Sequence, residues 1–232
     1  MEKARGGAPQ RPLLAFGAPE SRVEATRGGA GGAVSGFTPL PYSASEVKRI
    51  AGILGASSDP DAVNLGERAT KELFKRRDLS RYRILHFATH ADAGDNVRLG
   101  QPTLMFSGNE LLTMSEIFDL RLNAELVVLS ACKTAQGKLY RSEGLVGLTS
   151  AFLYAGSRAV VASLWRVNDQ STSLFMGAFY KYLRGGESKA EALRRARNRV
   201  MKSKMRSVLL GREQSLAAPF FWAPFVLVGS PS

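Results

Sequence analysis

Cysteine occurs once in the 232 residues, at Cys132, and histidine only twice, at His86 and His90. A single thiol excludes an intramolecular disulfide, and one Cys with two His cannot fill the ligand spacings of a structural zinc site. His86 and His90 have the i, i+4 spacing of a zincin helix, but Phe87 stands where that motif needs glutamate and the segment reads as a strand, so a metalloprotease is excluded. Long apolar runs are also missing. The two longest, 151–165 and 220–228, are interrupted by Arg158 and Pro224 and fall short of the roughly 18 uncharged residues of a membrane-spanning helix. Glu2, Lys3 and Arg5 precede Gly and Pro with no apolar signal region, so the expected setting is cytoplasmic. The sequence also lacks G-x-S-x-G, the G-x-x-x-x-G-K-[ST] phosphate loop and a G-x-G-x-x-G following a strand.

Acidic residues are scarce: 20 Asp and Glu against 32 Lys and Arg leave a net charge of +12. The surplus is concentrated, because residues 181–212 hold eleven Lys or Arg against Glu187 and Glu191 alone. Such a face suits an acidic partner, a membrane surface or a phosphate backbone, or is simply solvated. Between Arg184 and Arg212 no aromatic residue interleaves the charges, so nucleic acid is the less favoured partner.

What is present is a normal core-forming composition, 44% hydrophobic and 22% charged, sized for one domain. Residues 1–12 read as a flexible N-terminus, 13–229 as the domain, 22–38 as a Gly-rich linker within it and 230–232 as a tail. Residues 13–16 are a candidate edge strand. Val47, Ile50, Ala51 and Leu54 set a helical stripe over 45–54, and a second helix is predicted from Thr70. Residues 83–89 (RILHFAT), 125–131 (ELVVLSA) and 158–164 (RAVVASL) are short apolar runs suited to strands buried on both faces. Helical patterns over 114–120, 143–155 and 169–183 alternate with them, which predicts an α/β class with a mostly parallel central sheet flanked by helices. Ser188 and Glu191 have capping-box spacing at the head of a long basic helix, and 220–228 reads as the last strand.

A thiolate is the strongest nucleophile this composition offers. Cys132 follows an apolar strand and precedes a polar loop, and His90 does the same one strand earlier, so both arrive at the carboxyl edge of the sheet, where ligands bind in open α/β folds. A neighbouring base that helps form the thiolate is the arrangement of a cysteine nucleophile. The N–H groups of Ala91 and Cys132, at the two loop starts, are the candidate oxyanion donors. His86, four residues back, is expected to be a satisfied core histidine.

Taken together, HFATHA (86–91), LSACKTAQG (129–137), EGLVGLTSAFLYAGSRAVVASLWRVND (143–169) and FFWAPFVLVG (220–229) resemble the CHAT domain, a caspase-like cysteine peptidase family. The resemblance runs from about residue 13 to 229 and is most specific over 83–199. It implies a caspase-haemoglobinase fold, a His90 and Cys132 dyad, and hydrolysis of peptide bonds in a protein or peptide substrate, with no metal or organic cofactor. It also places Ser163, Trp165 and Asp169 where caspase-like peptidases build the pocket for the residue before the scissile bond. Asp169 would there favour a basic side chain; alternatively Asn168 or Asp169 caps the helix that follows and Trp165 is plain core. Family members commonly have Gly after the catalytic His, where this chain has Ala91, which keeps its N–H but does not readily take positive φ. Members are usually joined to tetratricopeptide or other helical segments that regulate them, so a regulatory partner of helical-repeat type is expected. The alternative reading is a non-catalytic caspase-like module whose basic helix, 188–206, docks an acidic partner.

Overall fold

The computed structural model describes residues 9–20, 40–92, 100–130, 142–165, 168–206 and 211–232. In chain order the strands are β1 (Leu14–Gly17), β2 (Val63–Leu65), β3 (Ile84–Ala88), β4 (Ala91–Asp92), β5 (Thr103–Met105), β6 (Leu111–Thr113), β7 (Leu126–Leu129), β8 (Ala159–Ser163), β9 (Lys204–Arg206), β10 (Glu213–Ser215) and β11 (Phe225–Gly229). The α-helices are α1 (Ser43–Leu54), α2 (Lys71–Lys75), α3 (Met114–Phe118), α4 (Ser142–Tyr154), α5 (Asp169–Arg184) and α6 (Lys189–Met201).

The central sheet has six strands in the order β11-β8-β7-β3-β1-β2, parallel except for β11, which runs antiparallel to β8. This is the mixed α/β arrangement expected of a caspase-like domain. Every residue of β1, β3, β7 and β8 is buried, which explains why their sequences read as continuous apolar runs rather than alternating ones. Successive residues still point to opposite faces. Leu13, Ala15, Ile84, Ala88, Val128 and Val161 pack under α1, α5 and α6, while Leu14, Phe16, Leu85, Phe87, Leu129 and Ala162 pack against residues of α2, α3 and α4. Each of the buried Leu, Ile, Val and Phe side chains among these contributes about 1.5–3 kcal/mol.

Local chemistry sets the boundaries. Thr113 and Glu116 close a reciprocal capping box at the start of α3. Asn168 caps α5, its side chain accepting from the Ser171 N–H. After α4 the chain turns at Gly156, with φ of +117°, and a Cβ there would lie 2.2 Å from the Leu122 carbonyl oxygen, so only glycine fits.

Three expectations change. The run 13–16 overlaps β1, but β1 lies inside the sheet between β3 and β2; the edge on that side is β2, a three-residue strand whose pairing with β1 covers it. The last strand begins at Phe225 rather than residue 220, because 219–221 is a short 3-10 turn and Pro224, which has no N–H to donate, precedes the ladder. At α6 only half of the capping box forms: Ser188 accepts from the Glu191 N–H, while the Glu191 carboxylate pairs with Arg194 and Arg195.

Two small antiparallel sheets, β4-β5-β6 and β9-β10, lie outside the pattern read from the sequence. The segment read as a Gly-rich linker, 22–38, lies outside the described residues, as do residues 1–8. Arg11 is tied down: its guanidinium pairs with Asp59 and Asp61 and donates to the Tyr82 hydroxyl.

Candidate functional site

Parallel alignment brings the carboxyl ends of β1, β3, β7 and β8 to one edge of the sheet. His90 lies two residues beyond β3 and is 7% exposed. The exit from β3 is fixed by Thr89, whose hydroxyl donates to the Met105 carbonyl, and by the His90 carbonyl, which accepts from the Met105 N–H at 2.9 Å. In an antiparallel ladder hydrogen-bonded and non-bonded pairs alternate. The bond between Met105 and His90 makes Ala91, opposite Leu104, a non-bonded pair, so the Ala91 N–H points away from β5. Ala91 lies in extended β4, and non-glycine positive φ among the described residues is confined to Ala18 and Asn109, so the backbone here is one an alanine adopts without strain.

Cys132 lies outside the described residues, and so does the loop that follows it. The last described residue before it is Ser130, whose N–H donates to the Phe87 carbonyl at 2.9 Å, extending the contact between β3 and β7 past the end of β7. At the end of β8, Ser163 is buried and its hydroxyl donates to the Trp165 carbonyl at 2.7 Å. Trp165 is half-buried, and its indole N–H donates to the Phe220 carbonyl at 3.3 Å. Asp169 turns toward α1: its carboxylate accepts from the Tyr42 N–H at 2.6 Å. Burial, with a smaller contribution from the nearby Glu46 charge, pushes its carboxyl up to about 6 against the pull of the Tyr42 bond. The helix cap itself belongs to Asn168.

His86 is fully buried, as expected of a core histidine, and both ring nitrogens are engaged. Nε2 lies 2.9 Å from Glu46 Oε1 and Nδ1 lies 3.1 Å from the Tyr180 hydroxyl. Ser130 Oγ donates to the same Glu46 oxygen. Burial, then the Glu46 charge, holds the Tyr180 hydroxyl well above its ordinary pKa, so it stays protonated. Sequence reasoning missed Glu46, although a signal existed: Glu46 precedes Ile50 by four residues and so falls inside the apolar stripe of α1, where a carboxylate must have a buried partner.

The basic helix is partly neutralised from within. Arg194 pairs with Glu191, Arg195 pairs with Glu187 and Glu191, and Arg197 donates to the Phe225 carbonyl of β11. Lys189 reaches the Ser232 carbonyl. Beyond the ends of β1 and β2 a cleft of about 410 Å³ is lined by Glu20, Glu67, Glu72 and Glu110, of which Glu72 pairs with Arg76 and Glu110 accepts from the Lys71 N–H. No helix among the described residues is long and apolar enough to cross a membrane.

The CHAT domain family model matches residues 2–230. Tetratricopeptide repeat protein 28 of Mus musculus is 29% identical over 228 aligned positions, covering 83% of this chain and 9% of that protein. The Homo sapiens protein of the same name is 36% identical over 120 positions, covering 52% of this chain and 4% of that protein. The chain thus spans less than a tenth of the length of these curated relatives. With a family match over nearly every residue, and a mostly parallel six-stranded sheet whose carboxyl edge presents the segment 86–91, the chain belongs to the CHAT domain family.

Proposed function

We propose that this domain is a cysteine-type endopeptidase using His90 and Cys132. The observation that carries the reading is the exit from β3, where His90 is held at the carboxyl edge of the sheet and the next N–H, that of Ala91, is turned away from β5. In the proposed reaction His90 takes the proton from the Cys132 thiol and the thiolate attacks the peptide carbonyl. The oxyanion is held by the N–H groups of Ala91 and Cys132. Collapse of the tetrahedral species breaks the C–N bond, His90 returns the proton to the leaving amine, and water then hydrolyses the thioester with His90 again acting as base. This chemistry uses only side chains and backbone. Substrate would lie along 163–169, beside Ser163, Trp165 and Asp169. The relatives' names carry the tetratricopeptide repeat, which supports regulation by a helical-repeat protein or segment.

Incubation of the wild type, Cys132→Ala and His90→Ala with a mixed peptide library, followed by mass spectrometry, tests the reading. Cuts are expected from the wild type, none from Cys132→Ala, and a loss of about 10²–10⁴-fold in His90→Ala. Equal cutting by wild type and Cys132→Ala would sink it. A shared basic residue before the cut would assign Asp169 its substrate role, whereas another shared residue would remove it. The docking alternative draws on exposed α6 cations, yet Arg194 and Arg195 are already paired with glutamates of the same chain, which favours the enzymatic reading.

A further inference from the structure

We infer that Glu46 and Ser130 are positioning residues of this site, a buried carboxylate on α1 and a hydroxyl after β7 that together fix the carboxyl ends of β3 and β7 relative to each other. The inference rests on the peptidase reading for its catalytic consequence. Glu46 is 1% exposed, and its Oε1 receives both His86 Nε2, from β3, and Ser130 Oγ, from the residue after β7. The Tyr180 hydroxyl, from α5, faces His86 Nδ1, His86 Nε2 faces Glu46 Oε1, and Ser130 Oγ donates to the same oxygen, so both ring nitrogens and the Ser130 hydroxyl have partners. Asp169, at the start of α5, is a further acidic group near Glu46 and itself holds the Tyr42 N–H just before α1.

A charged network of this kind is a weak way to stabilise a core, since apolar side chains of equal volume do as well or better. What it does provide is a directional, fully satisfied tie at one place. That place is telling: Ser130 is two positions before Cys132 in the sequence and His86 four positions before His90. Both strands that carry the proposed dyad are therefore fastened to one carboxylate on α1. Because small displacements of reacting groups cost large factors in rate, loosening this tie should slow chemistry more than it weakens substrate binding.

The test uses the full chain, with Ser130→Ala, Ser130→Thr, Glu46→Gln and the double variant Glu46→Gln with Ser130→Ala. The readouts are kcat and KM on a peptide found with the library, the iodoacetamide alkylation rate of the lone thiol between about pH 6 and 9, and the unfolding midpoint. Ser130→Ala is expected to lower kcat about tenfold or more with KM within about twofold, to alter the alkylation profile, and to stay folded. Ser130→Thr, which keeps the hydroxyl, should recover most of the loss, and the double variant should be no worse than Glu46→Gln alone. Wild-type kcat and an unaltered alkylation profile in Ser130→Ala would overturn the inference while leaving the peptidase intact. If the wild type cuts nothing, the peptidase reading fails and alkylation decides: a change of about fivefold or more in Ser130→Ala, reversed in Ser130→Thr, upholds positioning, and no change overturns it.

Discussion

His86 and Phe87 are neighbours in β3, both buried, and they point to opposite sides of the same sheet into two different kinds of interior. On the side of Phe87, aromatic rings fill the space. Phe87 meets Phe16 at 6.0 Å, Phe74 at 5.6 Å, Phe106 at 6.3 Å and Phe152 at 5.7 Å between ring centroids. On the side of His86, the strand gives up an apolar position to an imidazole, and α1 and α5 answer with Glu46 and Tyr180. Ring packing tolerates rotation and contributes mainly through buried area, whereas the polar chain has one geometry in which all donors are satisfied. One face supplies cohesion and the other fixes place.

This contrast can be broken by three measurements. Phe87→Ala removes a ring at the centre of the aromatic cluster, and the loss in urea-unfolding free energy should be about 3–5 kcal/mol. A loss below that of Tyr180→Phe would show that the aromatic side is not the main source of stability. Tyr180→Phe keeps the volume and deletes the hydroxyl, leaving His86 Nδ1 buried without that partner, so the expected cost is about 1–2 kcal/mol. A neutral result would mean that the polar chain gains nothing from α5.

The smallest effect is the most specific. Because Asp169 is pushed up to about 6, its proton is held more tightly in the folded state, and this contribution to stability is full below the ordinary carboxyl pKa and lost as pH rises from about 4 through 6. Asp169→Asn mimics the protonated form. Allowing for solvent around this half-buried group, it should gain about 1 kcal/mol at pH 7, roughly 2–4 °C in Tm for a chain of this size, and nothing at pH 4. Equal Tm differences at both pH values would discard the burial argument.

Strands β3, β7 and β8 were readable because burial on both faces leaves an unbroken apolar signature in each. The place of β1 was not, since strand order within a sheet depends on partners far along the chain: Ala15 pairs with Val63 on one side and His86 on the other. Strands β5 and β6 have three residues each, too few to display a period, and β9 is hidden in the cationic stretch as Lys204–Arg206. The position of His90 and Ala91 just past the end of β3 was legible from the apolar run before them. The direction of the Ala91 N–H was not, because it depends on which residue of β5 bonds to His90. Glu46 was written in the α1 stripe, but its two partners lie 40 and 84 residues away.

The interior position of β1 has a consequence for the chain as it is made. Leu13, Leu14, Ala15 and Phe16 are made before their neighbours Val63–Leu65 and Ile84–Ala88, which follow only after some fifty to seventy more residues have been added. Over that interval an apolar strand lacks both of its sheet neighbours, and contacts of such long sequence separation form slowly. Synthesis therefore passes through a stage in which the future middle of the sheet is exposed on the nascent polypeptide, the condition under which chains pair with one another or are held by chaperones.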